Sequence, residues 1–427
     1  MVEVFRTYDV RGKYPLEVNE DFAYDLGFAF ANYIKGEILV CRDGRLSSKS
    51  LKESFTKGVI DAGFDVLDIG LASTPYAYYV LLQRGKGGVV ITASHNPGEY
   101  NGFKLLREKA FPISKGKGLE EIKSLMNQTK NKTTKGTLRE KNYFNEYRGF
   151  LKKFLTDSDL KIIVDQSHGS GWIETSVLKE KYNAILLNTE INGNFPNHGP
   201  DPKQENNQEQ IKQKIKQEKA DLGIILDGDA DRVMFIDENG TWIKPDLASL
   251  ILLEDFRNGV IVCDVACTKQ LAETAKEYNI KTVVSKIGRT HISEKVHEVN
   301  ADYGIEVSGH AFFKEFNGFD NPLIKIAKII KNLKGKKLSS VLKKMTYYQS
   351  GEYNYKVKNK DEIIERIKRI YKDYERDELD GLSIHAKNYW FNIRKSNTEP
   401  LLRLNVESKN KNTTKQILQE LEGILKG

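Results

Sequence analysis

The sequence of 427 residues is poor in three features: cysteine, long apolar runs and charge of one sign. Its three cysteines, Cys41, Cys263 and Cys267, are too few for a disulfide framework, and we expect buried thiols in a reducing compartment. No CxxC pairs with histidine at zinc spacing. No apolar segment reaches the ~18 residues of a membrane span, and the start MVEVFRTYDVRG has neither a secretory nor a transit pattern. We therefore expect a cytoplasmic protein without a membrane partner.

The charge balance argues against nucleic acid as a partner. The 67 basic residues are nearly offset by 59 acidic ones, which leaves a formal net charge of +8. The densest lysine run, KGKKLSSVLKK at 334–344, has no interleaved aromatic side chains on which bases could stack. Small phosphorylated molecules are the anionic partners that remain, and we predict that class.

A recurring pattern fills the first two-thirds of the chain: a β-branched apolar run opens into a turn rich in Asp, Ser, His and Gly. Examples are ILVCRDGRLSS, VVITASHN, IIVDQSHGSG, IILDGDADR, VIVCDVACT and GIEVSGH. Helical patterns lie between several of these runs, as at residues 48–62, where Ser47 or Ser48 is the predicted N-cap and Gly63 follows the end. The alternation predicts α/β domains with largely parallel sheets, and ligands bind at the carboxyl ends of such strands.

Lys-rich polar segments suggest the domain boundaries. They predict α/β domains at 1–146, 147–244 and 245–344 and a smaller domain at 345–427. In the last domain, a charged helix at 361–373, strand-like runs at 389–394 and 401–407 and a final helix from Asn412 indicate an α+β fold.

The motif LDGDADR places Asp227, Asp229 and Asp231 at alternating positions. In an extended turn their carboxylates project to one side and repel one another unless they share a cation. Three oxygens with open positions suit Mg2+. An EF-hand is excluded because Arg232 stands where that loop needs glycine and because a strand precedes the motif. A solvated acidic turn is the alternative to a magnesium site.

The motif VVITASHNPGEYNGFK ends an apolar run at Ser94. A lone serine in such a place usually caps a turn, but His95 and Asn96 can orient this hydroxyl and Lys104 lies ten residues on. A serine-hydrolase triad is disfavoured because GxSxG is absent. In an extended chain, moreover, His95 would point away from its neighbour Ser94.

The motif YGIEVSGH alternates Glu306, Ser308 and His310. In a strand or an extended loop all three would lie on one face, as a set suited to sugar hydroxyls. The alternative is the polar outer face of an edge strand.

The motif IRKSNTEPLLR surrounds a turn with hydrogen-bond donors that can wrap a phosphate dianion. An ordinary Asx or Ser/Thr turn is the alternative. The candidate donors are Arg394, Ser396, Asn397, Thr398 and Arg403.

Together FRTYDVRG, TASHNP, DGDADR, EVSGH and RKSNTEP resemble, in order and separation, the motifs of the α-D-phosphohexomutase family, most closely its bacterial phosphomannomutase/phosphoglucomutase branch. The resemblance spans essentially the whole chain. It implies three related α/β domains and a TATA-binding-protein-like C-terminal domain around one central cleft. It also implies a phosphorylated hexose substrate, a phosphoserine, and a hexose 1,6-bisphosphate as intermediate and activator. The expected assembly is a monomer or a homodimer.

The resemblance also implies a role for each matching residue. The phosphoryl group would be carried by Ser94, which would bind Mg2+ together with Asp227, Asp229 and Asp231. The other catalytic residues would be His95, Arg11, Arg232 and Lys104. Lys104 is the candidate general acid/base, provided that burial among cations favours its neutral form. Substrate contacts would come from Tyr8, Lys286, Arg289, Glu306, Ser308, His310, Arg394, Ser396, Asn397, Thr398 and Arg403.

Three departures from the family's motifs lie in the third predicted domain and just after its sugar motif. Ala266 in DVACT replaces a common lysine, Arg289 in KIGR replaces a histidine, and FDNP at 319–322 replaces FDDG. Substrate choice therefore stays open between mannose and glucose. A phosphoglucosamine mutase and a non-catalytic sugar-phosphate-binding protein are the alternative functions.

Overall fold

The structure, a computed structural model, describes residues 4–128, 134–343, 345–396 and 401–426. The chain divides into two compact units, Met1–Ile243 with Ser308–Ser339 and Lys244–Val307 with Ser340–Gly427. Among the described residues, no helix has the length and apolar character needed to cross a bilayer.

The first unit begins with a mixed six-stranded sheet of order β1-β5-β4-β2-β3-β6. Its elements in chain order are β1 Val10–Lys13, α1 Glu20–Ile34, β2 Ile38–Arg42, α2 Ser48–Asp61, β3 Val66–Leu71, α3 Thr74–Leu81, β4 Gly87–Ile91, β5 Tyr100–Arg107, α4 Leu119–Met126 and β6 Leu138–Glu140. Strands β4, β2, β3 and β6 are parallel, and β5 is antiparallel to β4 and β1. The short β4–β5 connection therefore places residues 92–99 at the carboxyl ends of the parallel strands.

Helix α2 packs on this sheet through apolar residues at helical spacing. Leu51, Phe55 and Val59 are fully buried, and truncating a phenylalanine in such a core costs about 3–5 kcal/mol. The predicted N-cap Ser47 precedes the helix without a side-chain capping bond. A Cβ at Gly58 would lie 2.1 Å from the carbonyl oxygen of Tyr24 on α1, so glycine is what allows the two helices to approach this closely.

A second mixed sheet, of order β11-β10-β9-β7-β8, continues the first unit. Its elements are α5 Phe144–Lys152, β7 Lys161–Asp165, α6 Trp172–Lys181, β8 Asn183–Leu187, α7 Glu209–Glu218, β9 Leu222–Leu226, β10 Val233–Asp237 and β11 Trp242–Ile243. Strand β7 is parallel to β8 and β9, whereas β10 is antiparallel to β9 and β11. Every residue of β9 is buried, and the strand leads directly into the aspartate motif.

The elements that follow are divided between the two units: residues 244–307 belong to the second unit and residues 308–339 to the first. The elements are α8 Pro245–Ala248, β12 Val260–Asp264, α9 Lys269–Glu277, β13 Lys281–Ser285, α10 Arg289–Glu298 and β14 Tyr303–Ile305, then β15 Ala311–Phe313, β16 Phe319–Asp320 and α11 Pro322–Leu333. In the second unit, β12 is parallel to both β13 and β14. In the first unit, β15 and β16 form an antiparallel pair.

The C-terminal part of the second unit is an antiparallel sheet of order β17-β21-β20-β19-β18 with helices packed on it. Its elements, after α12 Ser339–Lys343, are β17 Tyr348–Lys356, α13 Lys360–Ile370, β18 Glu375–Asp377, β19 Leu382–His385, β20 Tyr389–Lys395, β21 Leu401–Ser408 and α14 Lys411–Lys426. Short 3-10 helices elsewhere in the chain cover Glu108–Ala110, Glu205–Gln208, Ser249–Phe256 and Lys314–Phe316.

The predicted fold class is confirmed. The α/β part has mixed sheets and the C-terminal part is an α+β arrangement with an antiparallel sheet. The charged helix expected at 361–373 is shorter, because the chain turns into β18 after Ile370. All three cysteines are buried and free, as expected. The domain boundaries at residues 146, 244 and 344 stay predictions.

Candidate active site

Ser94 lies in the turn between β4 and β5, with its backbone in the left-handed region at φ 51°. Its Oγ donates a hydrogen bond of 2.9 Å to Asp227 Oδ2. Nδ1 of His95 lies 3.4 Å from the same Oγ. The expectation that His95 points away from Ser94 was wrong, because it assumed an extended backbone and the left-handed residue turns the chain. Ser94, His95 and Asp227 therefore meet at one oxygen.

The three aspartates come together as predicted in the loop after β9. Asp227, Asp229 and Asp231 are fully buried, and one oxygen from each lies within 4.8 Å of the others. Burial and the negative charges of Asp231 and Asp229 raise the pKa of Asp227 well above its usual range. Oδ1 of Asp229 is buried without a hydrogen-bond partner. A buried carboxylate cluster with an open oxygen lone pair fits a hard cation.

Lys104 reaches the same cluster from β5. Its Nζ contacts Asp229 Oδ2 and lies 2.5 Å from Asp231 Oδ2, with Thr74 Oγ1 at 3.4 Å. The lysine is buried, but its ammonium group contacts carboxylates and not the cations on which its proposed acid/base role was made conditional. A carboxylate partner favours the charged form of a lysine, so Lys104 is placed to hold a proton near the cluster.

Arg11 and Arg232 supply further positive charge near Ser94. Arg11 bonds to Asp9 Oδ2 at 2.5 Å and to Asn96 Oδ1 at 2.7 Å. Burial lowers the pKa of His95 well below its usual range, and the charges of Arg232 and Arg11 lower it further. His95 is therefore neutral at neutral pH. Tyr8, which precedes Arg11 in the chain, is half-buried.

Arg232 connects the aspartate loop to His310. Its Nε donates to His310 Nε2 at 3.0 Å and lies 3.8 Å from Asp227 Oδ2. The opposite ring nitrogen, His310 Nδ1, lies 2.8 Å from Asp320 Oδ2. This network fits the tautomer with the proton on Nδ1. The sequence interpretation missed Asp320, although its place in the altered FDNP motif singled out the segment.

The EVSGH segment is a turn after β14, so the expected strand or extended loop was wrong. Gly309 has a φ of 107°, which ends any period-two alternation. In the first unit, Ser308 Oγ is buried without a hydrogen-bond partner. In the second unit, Glu306 is 6% exposed and its Oε2 also lacks a partner. Each keeps a polar atom available for a ligand.

Asp264 supports this turn from the end of β12. Its Oδ2 accepts from the backbone N–H of Val307 at 2.9 Å, and its Oδ1 accepts from that of Ala266 at 2.8 Å. Burial, and next the charge of Glu306, raise the pKa of Asp264 to about 7. Of the predicted contacts in the KIGR loop, Arg289 is buried at the start of α10 and Lys286 is exposed.

Two of the predicted phosphate donors, Arg394 and Arg403, lie on β20 and β21. Arg394 Nη2 lies 3.0 Å from Glu352 Oε2, and Arg403 Nη1 lies 3.1 Å from Glu352 Oε1. The backbone N–H of Ser396 bonds to the carbonyl of Leu401 across the strand pair. Asn397 and Thr398 lie outside the described residues. The two arginines are thus brought together, with one carboxylate between them.

Fold and site together define a class. In the α/β part of the chain, the hydroxyl of Ser94 donates to a buried cluster of three aspartates. Lys104 is buried against the same cluster, and two arginines lie close by. Phosphoryl transfer needs this kind of positioned charge and little other chemistry. The class is therefore that of metal-dependent phosphoryl-transfer enzymes.

Comparison with known proteins gives the family. Models of the phosphoglucomutase/phosphomannomutase family match the chain throughout: alpha/beta/alpha domain I at residues 2–133, domain II at 141–240, domain III at 247–348 and the C-terminal domain at 352–424. The chain belongs to this family, and its activity is that of a phosphohexomutase, an intramolecular phosphotransferase.

Individual relatives span the same length. A phosphomannomutase of Methanocaldococcus jannaschii is 37% identical over 442 residues, covering 99% of this chain and 97% of that protein. A phosphomannomutase of Escherichia coli is 34% identical over 433 residues, covering 95% of each. The crystal structure of a phosphoglucomutase/phosphomannomutase family protein from Burkholderia thailandensis has a TM-score of 0.90 at 28% identity, over 100% of this chain and 98% of that one.

Proposed function

We propose that this phosphohexomutase interconverts the 1-phosphates and 6-phosphates of mannose and glucose, with Ser94 as its phosphoryl carrier. The observation that carries the proposal is the 2.9 Å hydrogen bond from Ser94 Oγ to Asp227, one of three buried carboxylates. A serine that only capped a turn would have no need of that partner, of the lysine on the same cluster or of the nearby arginines. The names of the relatives support mannose as a substrate.

The cation that we propose for the aspartates is Mg2+, held by Asp227, Asp229 and Asp231 together with the phosphate on Ser94. The unpartnered Oδ1 of Asp229 and the raised pKa of Asp227 support a bound cation. When bound, Mg2+ neutralises negative charge on the transferred group, as in other phosphoryl-transfer sites. The guanidinium groups of Arg11 and Arg232 would act on the same charge.

The chain's own residues suit a two-step exchange. The bond between phosphorus and Ser94 Oγ breaks as a hydroxyl oxygen of the hexose monophosphate bonds to phosphorus. The hydroxyl proton ends on Ser94 Oγ, so the products are a hexose 1,6-bisphosphate and a free serine. The second step reverses this chemistry with the other phosphate and restores phospho-Ser94. Added hexose 1,6-bisphosphate would therefore activate an unphosphorylated enzyme. Lys104 is our candidate for the proton transfers, since its ammonium lies between Asp229 and Asp231.

The remaining site residues would hold the sugar phosphate. Glu306, Ser308 and His310 would bind sugar hydroxyls, which the unpartnered oxygens of Glu306 and Ser308 support. The non-reacting phosphate would bind to the donors of the IRKSNTEPLLR motif, namely Arg394, Ser396, Asn397, Thr398 and Arg403. Tyr8, Lys286 and Arg289 are further proposed contacts.

The test is mutase turnover with Mg2+ and a trace of glucose 1,6-bisphosphate, on mannose 1-phosphate, glucose 1-phosphate and glucosamine 1-phosphate in parallel. Ser94→Ala is compared with Ser114→Ala, another buried serine of the same sheet region. We expect turnover of the first two sugars that only Ser94→Ala abolishes. A preference for glucosamine 1-phosphate would favour a phosphoglucosamine mutase. Absence of turnover on every sugar, together with no phosphate on Ser94, would indicate a non-catalytic binding protein.

A further inference from the structure

Arg45 lies beneath the turn that carries Ser94, and nothing in the proposed chemistry uses it. It belongs to the turn after β2, which is next to the Ser94 turn because β2 and β4 are parallel neighbours. Its side chain is 0% exposed. The ring of Phe195 covers the guanidinium, with 5.3 Å between the ring centre and Cζ. A buried charge of this kind is costly unless every donor is used.

Every N–H of the Arg45 guanidinium has an acceptor. Nε donates to Asp43 Oδ2 at 3.0 Å. The four N–H groups of Nη1 and Nη2 match four backbone carbonyls of the Ser94 turn and the start of β5, at 2.6–3.0 Å. These carbonyls belong to Ser94, Asn96, Pro97 and Tyr100. Five donors meet five acceptors, and no other side chain offers five N–H groups in a fixed planar arrangement.

Asp43 extends the hydrogen-bond network of Arg45 to the backbone N–H of Ser94. Its Oδ2 accepts from Thr92 Oγ1 at 2.7 Å, and Thr92 Oγ1 accepts from the backbone N–H of Ser94 at 2.8 Å. The carbonyl of Ser94 is thus held directly by Arg45, and its N–H is held by Thr92, whose hydroxyl Asp43 fixes in turn. This matters because Ser94 has a left-handed φ of 51°, which a serine adopts only when its surroundings impose it. That φ directs Oγ to Asp227.

From these contacts we propose that Arg45 is a positioning residue for phosphoryl transfer, one that holds the Ser94 turn in its reactive conformation without touching substrate. The proposal rests on the proposed function of Ser94. A misplacement of about 1 Å in a reacting group lowers rate by about 100-fold. Loss of the five donors therefore affects the chemical step, whereas the side chains proposed to bind the sugar phosphate are unchanged.

The test compares Arg45→Met and Arg45→Lys with Arg42→Met. Arg42 is a matched control because it also hydrogen-bonds a backbone carbonyl beside β2, that of Asp43. Among the described residues, its recorded side-chain bond does not involve the Ser94 turn. For each folded variant, kcat and KM are measured, together with the rate at which glucose 1,6-bisphosphate phosphorylates Ser94, followed by intact mass. Thermal unfolding gives the folded fraction.

We expect Arg45→Met to lower kcat and the phosphorylation rate by about 100-fold with KM within about threefold. Arg45→Lys, which offers at most three donors, recovers about tenfold of that loss. Arg42→Met stays within about twofold of the wild type. Two results would overturn the inference: a folded Arg45→Met enzyme that phosphorylates Ser94 at the wild-type rate, or a kcat loss no larger than the loss of folded protein.

If Arg45→Met does not fold, Arg45→Lys decides, because a folded lysine variant with wild-type kcat contradicts the proposal. If the lysine variant does not fold either, Arg45 is a structural residue alone and the proposal is wrong. A wild-type enzyme that never takes phosphate on Ser94 would instead refute the proposed function, and the role of Arg45 with it.

Discussion

The Ser94 region of the first unit and the proposed ligand-binding residues of the second unit differ in how their charges are partnered. Around Ser94, charges of both signs are paired with one another: Lys104 with Asp229 and Asp231, and Arg11 with Asp9. In the second unit, Asp264 is buried with backbone N–H partners at both carboxylate oxygens, and Arg394 and Arg403 share Glu352. The reacting group thus lies among buried ion pairs, whereas the two arginines of the second unit share a partly exposed carboxylate that a ligand can replace.

The largest effect should follow the loss of a charge from the buried carboxylate cluster beside Ser94. We expect Asp229→Asn to lower kcat by about 1,000-fold, since it removes charge from the proposed cation site, where single electrostatic contacts are worth 100- to 1,000-fold. The measurement is turnover as a function of Mg2+ concentration, with Mg2+ binding followed by calorimetry. Asp237→Asn is the control, because Asp237 is a buried aspartate on neighbouring β10 whose Oδ1 bonds to backbone N–H groups. Equal losses in both variants would contradict a special role of the triplet.

In the second unit, a substitution at the proposed phosphate site should affect substrate binding more than the phosphoryl-transfer step. We expect Arg394→Met to raise KM by about 10- to 100-fold and to change kcat by less than about threefold. A non-reacting phosphate is bound equally in the ground state and the transition state, so losing its partner weakens both alike. Steady-state kinetics on mannose 1-phosphate measure this, with Lys395→Met, an exposed neighbour on the same strand, as control. A large fall in kcat at unchanged KM would break the comparison.

The pH dependence of stability should reveal one buried carboxylate of the second unit, Asp264. The pKa of Asp264 is raised to about 7 from an ordinary value of 3.8, so the folded state binds this proton more tightly than the unfolded state. The associated stabilisation is complete below about pH 3.8, falls as pH rises above that value, and is lost as pH passes through 7. Between pH 6 and pH 8 it falls by about 1.4 kcal/mol. Denaturant unfolding of the wild type and of Asp264→Asn at both pH values checks this, since the asparagine variant should lack that part of the dependence.

The same comparison shows what the sequence alone could predict. The aspartate triplet, Ser94 and the two arginines of β20 and β21 were predictable because each belongs to a short sequence motif. The orientation of His95 and the turn at 306–310 were not, since each depends on one residue with a positive φ, Ser94 or Gly309. Asp320 and Arg45 were missed because their partners come from other parts of the chain. Such contacts appear only once β2 lies beside β4 and β16 beside β15.

The smallest effect should come from the carboxylate between the two arginines. Glu352 pairs with both Arg394 and Arg403, and a phosphate that binds them must replace at least part of these contacts. We therefore expect Glu352→Gln to lower KM by about threefold with kcat unchanged, a size typical of a partly exposed ion pair. The contrary result, a raised KM, would mean that Glu352 orients the arginines for the phosphate. In that case the second unit, like the Ser94 region, holds its charged groups in place before the ligand binds. The two regions would then differ only in the residues that they use.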